Sequence, residues 1–243
     1  MCTIAIYSLK GGVGKTSLAV NLAWCAATLS SRRTLLWDLD AQAASTFLIK
    51  LGKRPKRLAD AVYEEEVKAG KLIRSTGIDR LDLLVADRSL RGLDGLFRSI
   101  GKKKRLAKII STVSSEYDRI IIDCPPGLTE TSDQIIRAAD IVIVPVIPSP
   151  LSRRAFNEVA RHIEQHHKGR TAILPVHMMV DRRRNLHGAA LDENPDWPAI
   201  PYASVVEQMA DRREPLGEFA PRSPAAQAFE RLWRGIEKRI AKL

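Results

Sequence analysis

The sequence predicts an α/β fold, a doubly wound and mostly parallel sheet with helices on both faces. Short runs of β-branched residues alternate along the chain with longer amphipathic stretches, which is the order that repeated β–α–β units produce. Residues 120–122 and 141–144 are apolar at every position. This composition is typical of central parallel strands that are covered by helices on both faces.

Each predicted strand is a short apolar run, and the amphipathic stretches between them are predicted helices. The first strand, residues 3–7, leads through a glycine-rich loop into a helix at residues 16–30. The other strands are predicted at residues 34–37, 81–85, 119–122, 141–146 and 171–179. The other helices are predicted at residues 90–100, 102–115, 131–139, 152–167 and 225–242. Residues 50–77 carry glycine, proline and charge runs and are predicted to form a surface excursion. Residues 192–201, which also contain prolines, are predicted to form an irregular connection.

Length and composition indicate one globular domain over residues 1–243. The chain is 45% hydrophobic and 28% charged, as in ordinary globular proteins. No apolar run reaches the roughly 18 residues of a membrane span, and the N-terminus is not expected to be a signal peptide. Three scattered cysteines without CxxC spacing are expected to be reduced thiols in a cytosolic protein, which argues against a disulfide or metal framework.

The charge balance favours a polyanionic partner. Lys and Arg number 39 against 28 for Asp and Glu, which gives a formal net charge of +11. Residues 51–108 alone hold 16 basic and 8 acidic residues. Such a surplus can be no more than a solvated surface, but over a whole protein it favours nucleic acid or anionic lipid as a ligand.

The strongest motif is the run Lys-Gly-Gly-Val-Gly-Lys-Thr at residues 10–16, between a strand and a helix. Glycines in this context let successive backbone N–H groups point at phosphates, and the helix N-terminus adds its positive dipole end. Lys15 is expected to reach the β- and γ-phosphates of a nucleotide, and the Thr16 hydroxyl to ligate Mg²⁺. The phosphate-binding set is predicted to be Lys10, Gly11, Gly12, Val13, Gly14, Lys15, Thr16 and Ser17.

This run departs from the general phosphate-loop pattern because Leu9 replaces the first glycine and Lys10 precedes the glycine pair. It resembles the deviant Walker A motif of the ParA/MinD/nitrogenase-iron-protein family. The resemblance implies that Lys10 reaches the ATP of a partner subunit, so that two copies of the chain enclose nucleotide in a sandwich dimer. ATP and Mg²⁺ are the implied cofactors.

The stretch Asp38-Leu39-Asp40-Ala41-Gln42 follows the second predicted strand. Aspartates at the carboxyl end of a strand face the ligand crevice of an open α/β sheet. The stretch resembles the switch I element of the family, with Ala41 in place of the usual proline. The resemblance implies that Asp40 orients water and senses the magnesium and γ-phosphate, whereas Asp38 either shares that role or caps the strand end.

The block Tyr-Asp-Arg-Ile-Ile-Ile-Asp at residues 117–123, followed by Cys-Pro-Pro-Gly, resembles the Walker B element of the family. A buried strand delivers Asp123 to the crevice, where it can hold a magnesium-bound water. Gly127 allows close backbone approach to phosphate. Cys124 is either a buried structural thiol or a thiol beside the phosphate site. The catalytic set is predicted to be Lys10, Lys15, Asp40 and Asp123, and the metal set Thr16, Asp40 and Asp123.

The resemblance continues through the second half of the chain. Residues 144–150, Asp181-Arg182-Arg183, Ile200-Pro201 and residues 221–223 follow the pattern of small ParA-type proteins. In that family the segment after the Ile-Pro pair closes over adenine, which implies a base pocket that includes Asp181, Arg182 and Pro201.

The last predicted helix carries one apolar stripe among basic residues. The stripe is either an interfacial membrane face or the core-facing side of a terminal helix. Core packing would leave the basic residues exposed for DNA, and neither a MinD-like membrane tail nor an added helix-turn-helix segment is expected. The candidate DNA contacts are Arg212, Arg213, Arg222, Arg231, Arg234, Lys238 and Arg239, and residues 102–105 are the rival basic site.

These observations lead to one expected function and two alternatives. The expected protein is a ParA-like ATPase of the cytoplasm and nucleoid, which dimerises on ATP, binds DNA without reading sequence and positions a cargo. A ParB-like adaptor is expected to stimulate slow hydrolysis, and membrane is not an expected partner. The alternatives are a MinD-like ATPase on anionic membrane and a metabolic ATP-dependent enzyme of the same fold.

Overall fold

The computed structural model describes residues 1–52, 59–64, 68–100, 104–166 and 171–242. Within these residues the strands are β1 (Cys2–Ile6), β2 (Thr34–Asp38), β3 (Ile73–Ser75), β4 (Leu81–Leu84), β5 (Arg119–Asp123), β6 (Ile141–Val146), β7 (Ala172–Val180) and β8 (Ala199–Pro201). The helices are α1 (Lys15–Thr28), α2 (Ala44–Leu48), α3 (Leu93–Ile100), α4 (Arg105–Val113), α5 (Glu130–Ala138), α6 (Pro150–His166), α7 (Asn185–Glu193), α8 (Ser204–Arg212), α9 (Leu216–Phe219) and α10 (Pro224–Ile240).

The strands form one sheet in the order β3-β4-β2-β5-β1-β6-β7-β8. Every neighbouring pair is parallel except β3 and β4. The predicted doubly wound, mostly parallel sheet is therefore confirmed. The chain crosses from β1 to β2 on one side and later reaches β6 on the other. In such sheets the ligand crevice lies outside the carboxyl ends of the strands at this point of reversal.

The core consists of the continuous apolar strands and the helices that cover them. All residues of β1, β2, β5 and β6 are buried, which explains why these strands have no polar face. The apolar stripe of α10 is also buried: Ala225, Phe229, Leu232, Trp233 and Ile236 are each at most 3% exposed. The alternative that this stripe is an interfacial membrane face is thus not supported.

Two sequence-based assignments of connecting segments were wrong. The segment at residues 50–77 is not a surface excursion in its described parts, because Val62, Tyr63 and Leu72 are buried and β3 joins the sheet. The Tyr63 hydroxyl accepts a hydrogen bond from the Trp37 indole at 2.9 Å, which ties this segment to the core. The segment at residues 192–201 is not wholly irregular, because it ends in β8.

The helix predicted at residues 102–115 begins at Arg105 in the structure, and residues 102 and 103 lie outside the described residues. The predicted helix at residues 90–100 is a 3-10 turn at Arg88–Gly92 followed by α3. No described helix is long and apolar enough to cross a membrane.

Candidate functional site: the nucleotide crevice

The phosphate loop connects β1 to α1 and depends on glycine at two positions. Gly12 and Gly14 have φ angles of 72° and 87°, a conformation that residues with a Cβ atom rarely adopt. Gly14 is also the N-cap of α1, and no side chain caps the helix there. The first N–H groups of α1 are therefore left for an anion, as in phosphate sites at helix N-termini.

The two lysines of the loop have different surroundings. Lys15 is only 8% exposed, and its ammonium donates a hydrogen bond to the Lys10 carbonyl oxygen at 3.3 Å. This contact holds Lys15 inside the loop. The half-buried Lys10 side chain makes no hydrogen bond or ion pair with any other described residue. The loop thus contains one lysine directed inward and a second whose charge is unpaired.

Asp123, at the carboxyl end of β5, combines burial with an unsatisfied oxygen. Its Oδ2 accepts a hydrogen bond from the Ser45 hydroxyl at 2.8 Å. Its Oδ1 is buried without a hydrogen-bond partner among the described residues. Burial raises the pKa of Asp123 to about 6, against the opposing effects of the Ser45 and Thr16 hydroxyls and of the Lys15 charge.

The oxygen atoms at this position suit magnesium. The hydroxyl of Thr16 and the unpartnered carboxylate oxygen of Asp123 are hard donors, and Mg²⁺ is usually held by one or two such groups together with phosphate oxygens. A bound cation would also remove the penalty of ionising Asp123 in a buried position. No group of three or more His, Cys, Asp or Glu side chains in the described part of the chain could hold a metal alone.

Asp38 is a structural cap. Its Oδ2 accepts hydrogen bonds from the Thr46 backbone N–H at 2.7 Å and the Thr46 hydroxyl at 2.8 Å, and its Oδ1 accepts one from the Asp40 N–H at 3.2 Å. Asp38 is fully buried, and burial together with the charge of neighbouring Asp123 raises its pKa to about 8. Of the two roles that the sequence left open, the geometry favours the cap, because Asp38 fixes the start of α2.

Asp40 lies at the turn between β2 and α2. Its Oδ1 accepts a hydrogen bond from the Gln42 N–H at 2.9 Å, and its carbonyl accepts one from the Ala43 N–H at 2.8 Å. Ala43 has a φ of 53°, so this turn is held in a conformation that non-glycine residues rarely adopt. The Asp40 charge contributes to the raised pKa of Asp123, which places the two carboxylates near each other.

The segment after β5 is tied to the phosphate loop. Gly127 has a φ of 97°, and its carbonyl accepts a hydrogen bond from the Tyr7 hydroxyl at 2.9 Å. Tyr7 directly follows β1, so this bond links the two segments. Cys124 is fully buried, and burial raises the pKa of its thiol well above the usual value. Of the two alternatives for Cys124, the structure favours the buried structural thiol.

A small pocket of about 70 Å³ adjoins the start of α1, well below the roughly 300–1,000 Å³ of usual ligand pockets, so as it stands it could enclose only part of a base. Its lining combines the phosphate loop with β7, β8 and α10, through residues that include Gly14, Ser17, Met178, Met179, Pro201 and Phe229. Gly14 is needed here for a second reason, since a Cβ atom would lie 3.0 Å from the Met178 methyl carbon. Pro201, predicted as a base-pocket residue, lines this pocket together with Gly14 and Ser17.

Asp181 and Arg182, the other two predicted base-pocket residues, do not line this pocket. The Asp181 carboxylate instead accepts two hydrogen bonds from the Arg183 guanidinium at 2.9 Å. Met178, Met179 and Phe229, which also line the pocket, were not predicted from the sequence. The register of β7 against β8 shifts between His177 and Val180, and Met179 has a φ of 55°. Neither feature has a local sequence signature.

The residues predicted to contact DNA differ in their exposure and in their side-chain contacts. Arg222, Arg231, Arg234, Lys238 and Arg239 are exposed on or just before α10. The Arg212 guanidinium lies over the Phe219 ring at 4.9 Å. Arg213 is held by the segment after β2, because its guanidinium donates a hydrogen bond to the Phe47 carbonyl at 2.8 Å and lies over the Phe47 ring. Arg213 therefore has a structural role.

The rival basic site at residues 102–105 also has fewer residues available to contact DNA than the sequence predicted. Arg105 is 4% exposed, and its guanidinium donates hydrogen bonds to the carbonyl oxygens of Tyr63 and Val62 at 3.0 and 2.9 Å. The expectation that Arg105 contributes to a DNA-binding surface is therefore wrong. Lys104 is exposed, and Lys102 and Lys103 lie outside the described residues.

The chain as a whole is similar to known proteins. The sequence model of a family described as "AAA domain" matches residues 1–175. The chain is 29% identical over 241 residues to the sporulation initiation inhibitor protein Soj of Bacillus subtilis (strain 168), covering 93% of this chain and 94% of Soj. It is 30% identical over 198 residues to the chromosome partitioning protein ParA of Myxococcus xanthus (strain DK1622), covering 78% and 69% of the two chains.

The fold is shared more widely. A solved structure of cobyrinic acid a,c-diamide synthase from Mycobacterium smegmatis, with an ATP analogue and magnesium bound, has a TM-score of 0.82 to this chain. The identity is 24%, and the alignment covers 98% of this chain and 94% of the synthase. That likeness establishes the fold alone. The family match over most of the chain, the two sequence relatives and the lysine-flanked phosphate loop together show that the chain belongs to the ParA/MinD family of P-loop ATPases.

Proposed function

We propose that this chain is a ParA-type positioning ATPase. Two copies enclose Mg-ATP in a sandwich dimer, the dimer binds DNA without sequence preference, and slow hydrolysis, stimulated by an adaptor protein, releases it. The cargo is a plasmid, a chromosomal region or a protein cluster. The protein acts in the cytoplasm on the nucleoid. ATP hydrolysis with Mg²⁺ is the reaction that its family membership supports.

The unpaired Lys10 ammonium is the observation that carries this proposal. Lys15 already occupies the inside of the loop, where its ammonium contacts the Lys10 carbonyl, and the Lys10 side chain has no partner among the described residues. A second lysine next to a triphosphate is useful where negative charge from another subunit's nucleotide comes close, because a dry interface strengthens such a charge pair. A lone subunit offers Lys10 no such partner.

In the proposed site each side chain has one task. Backbone N–H groups of the loop and the Lys15 ammonium hold the phosphates, and the Thr16 hydroxyl and Asp123 hold magnesium, which neutralises charge on the transferred phosphoryl group. Asp40 orients the attacking water. Pro201 and the methionines of β7 enclose the base.

Dimerisation is tested by measuring molar mass in solution with and without a non-hydrolysable ATP analogue. We expect a dimer with the analogue and a monomer with ADP. Lys15→Ala should abolish nucleotide binding. Lys10→Ala should keep nucleotide binding and lose the dimer, whereas Lys104→Ala, an exposed lysine on α4's N-terminal side, should behave as wild type. Equal mass under both nucleotides, or a normal Lys10→Ala dimer, would contradict the proposal.

The alternative that the chain is a metabolic ATP-dependent enzyme is consistent with the shared fold, but the nucleotide crevice gives it no further support. Of the two alternatives, the membrane one makes the clearer contrast, because it predicts pelleting with anionic liposomes and no retention on DNA. Co-sedimentation with each polyanion in the presence of ATP separates the three functions. Retention on DNA alone supports the ParA-type function.

A further inference from the structure

A cavity of about 810 Å³ lies between α6 and α7, next to the carboxyl end of β6. Pockets that bind small molecules usually measure roughly 300–1,000 Å³. None of the residues that line this cavity belongs to the phosphate loop, to the two aspartate segments or to the base pocket. It is therefore a separate feature of the fold, which we call the α6–α7 cavity.

His177 of β7 lies in the wall of the α6–α7 cavity, with its polar atoms covered. Its side chain is buried, at 1% exposure, and neither ring nitrogen has a hydrogen-bond partner among the described residues. Burial lowers the pKa of His177, and a backbone contact with Asn194, whose geometry is too poor to count as a hydrogen bond, opposes that shift. Both nitrogens are closed off from the cavity, so the ring can report a ligand bound beside it but offers that ligand no accessible polar atom.

Three arginines of α6 line the same cavity: Arg153, Arg154 and Arg161. None of them forms an ion pair with a described residue. Two glutamates, Glu158 and Glu193, also line the cavity, so the lining carries a net charge of +1. The Arg153 guanidinium lies over the Trp197 ring, 4.8 Å from its centroid. Stacking fixes the plane of a guanidinium and leaves its N–H edge available for an anion.

The aromatic lining adds an apolar surface beside these charges. The Trp197 ring contacts the His177 ring at 5.0 Å and the Phe156 ring at 4.9 Å between centroids. A site with a few convergent polar groups on an aromatic wall is the usual composition of a small-molecule pocket.

We propose that the α6–α7 cavity binds a small organic anion, with a carboxylate or phosphate group on Arg153 and Arg154 and a planar apolar part against Trp197. Carboxylates and phosphates both match the planar N–H fork of arginine, so the site chemistry is shared by the two anion classes.

The test is a titration of the protein, with Mg-ADP at saturation to fill the phosphate loop, using benzoate and phenyl phosphate as probes and benzyl alcohol as the neutral control. The ring signals of His177 are followed by NMR and assigned from a His177→Asn sample. We expect saturable shifts with at least one anion, and the one that binds more tightly identifies the anion class. Benzyl alcohol should give none.

Variants on α6 keep the test independent of the buried histidine. The double variant Arg153→Gln and Arg154→Gln should weaken anion binding by at least about tenfold, since it removes the charged hydrogen-bond donors. Arg137→Gln, an exposed arginine of α5 outside the cavity, should bind as wild type. No saturable shift, equal binding of benzyl alcohol, or an unchanged double variant would each overturn the proposal. Because this assay uses ADP and reads His177, its outcome is separate from that of the dimerisation test.

Discussion

At the scale of single residues, Asp38 and Asp123 are paired across neighbouring strands. They face each other in the parallel register of β2 and β5, and both are buried. Because each carboxylate disfavours the ionised form of the other and burial disfavours both, the pair retains a proton at a pH where isolated carboxyls have none. The crevice is thus prepared for a cation, whose charge would allow both groups to ionise.

This pairing predicts how stability depends on pH in the absence of nucleotide and magnesium. A carboxyl whose pKa is higher in the folded than in the unfolded state contributes stability at low pH, below its unfolded pKa of 3.8, and loses that contribution as the pH rises through its folded value. For Asp38 the loss extends to about pH 8. The variant Asp38→Asn should therefore show a smaller fall in melting temperature between about pH 5 and 8, by at least 2–4 °C.

Asp79→Asn is the matched control for this measurement, because Asp79 has a 93% exposed side chain and should leave the pH profile unchanged. Parallel profiles for wild type and Asp38→Asn, measured by thermal unfolding without nucleotide, would contradict the buried-pair explanation.

Substitution of Asp40 should slow ATP hydrolysis without preventing nucleotide binding. Its backbone and side chain hold the turn before α2, and its charge reaches Asp123, yet it does not take part in the phosphate loop. Asp40→Ala should lower the hydrolysis rate by about 10²–10⁴ while nucleotide is still bound, as expected when a water-orienting group is removed. Phosphate release and nucleotide affinity measured on one sample, with Asp79→Ala as control, decide this. A wild-type rate would exclude the role.

At the scale of elements, α9 is a short connection held closely over α1. A Cβ atom at Gly217 would lie 2.3 Å from the Trp24 ring, and the Trp24 indole donates a hydrogen bond to Glu218 at 2.6 Å. The glycine is required because helix and ring approach each other here without room for a methyl group. Trp24 lies on α1, so this contact fixes the helix that begins in the phosphate loop.

Gly217→Ala should therefore destabilise the protein by about 1–3 kcal/mol, the usual cost of overpacking a buried site. Gly235→Ala in α10 is the matched control, since its Cβ would meet no heavy atom within 4 Å and a helix gains from the exchange of glycine for alanine. Denaturant unfolding of both variants gives the comparison. Equal free energies of unfolding would show that α9 adjusts without strain.

The elements that the sequence predicted are those with strong local patterns. The continuous apolar strands were recognised, and so were α5 and α10, whose N-caps Thr129 and Ser223 accept backbone hydrogen bonds. The helices α2, α7 and α8 were missed, and their N-caps Ala43, Arg184 and Ala203 make no side-chain cap bond. These three helices lack the usual start signal at their N-caps, but the predicted helices α1 and α4 lack a side-chain cap bond too, so capping explains only part of the difference.

In the nucleotide crevice, too, the positions of residues were predictable only where a local sequence pattern sets them. The phosphate loop, Thr16 and Asp123 were predictable because a strand, a tight turn and a helix set their positions within a few residues. The base-pocket residues Met178 and Phe229 were not, since they meet Gly14 only through long-range packing of β7 and α10 on α1. The buried cap Asp38 was recognised as a possibility, but its partner Thr46 lies on a helix that the sequence did not predict.

At the scale of the whole molecule, α10 connects the nucleotide crevice to a basic surface. Phe229 on its buried face lines the small pocket beside Gly14, and Arg231, Arg234 and Lys238 are exposed on the same helix. A helix is rigid over this length, so a movement of Phe229 against a bound base would also move the basic residues. Dimerisation would place two such surfaces on one molecule and double the charge that a DNA duplex meets.

DNA binding should therefore require ATP, show no sequence preference and weaken steeply with salt. The net charge of +11 per chain supplies the attraction, and phosphate contacts release counterions from the duplex. If each dimer neutralises about 6 phosphates, affinity should fall by roughly 10³ between about 50 and 200 mM salt. Fluorescence anisotropy with two unrelated duplexes, at several salt concentrations and with ATP or ADP, measures all three properties.

Charge reversal locates the surface. Arg222→Glu and Arg234→Glu should lower affinity for both duplexes alike and leave ATP-dependent dimerisation unchanged, because both residues are exposed beyond the crevice. Lys104→Glu tests the remaining described part of the rival site, and Arg137→Glu on α5 controls for the loss of charge itself. Arg213 is left intact, since its hydrogen bond to Phe47 gives it a structural role that would confuse the result. If Arg137→Glu weakens binding as much as Arg234→Glu does, the attraction depends on overall charge and α10 is not the contact surface.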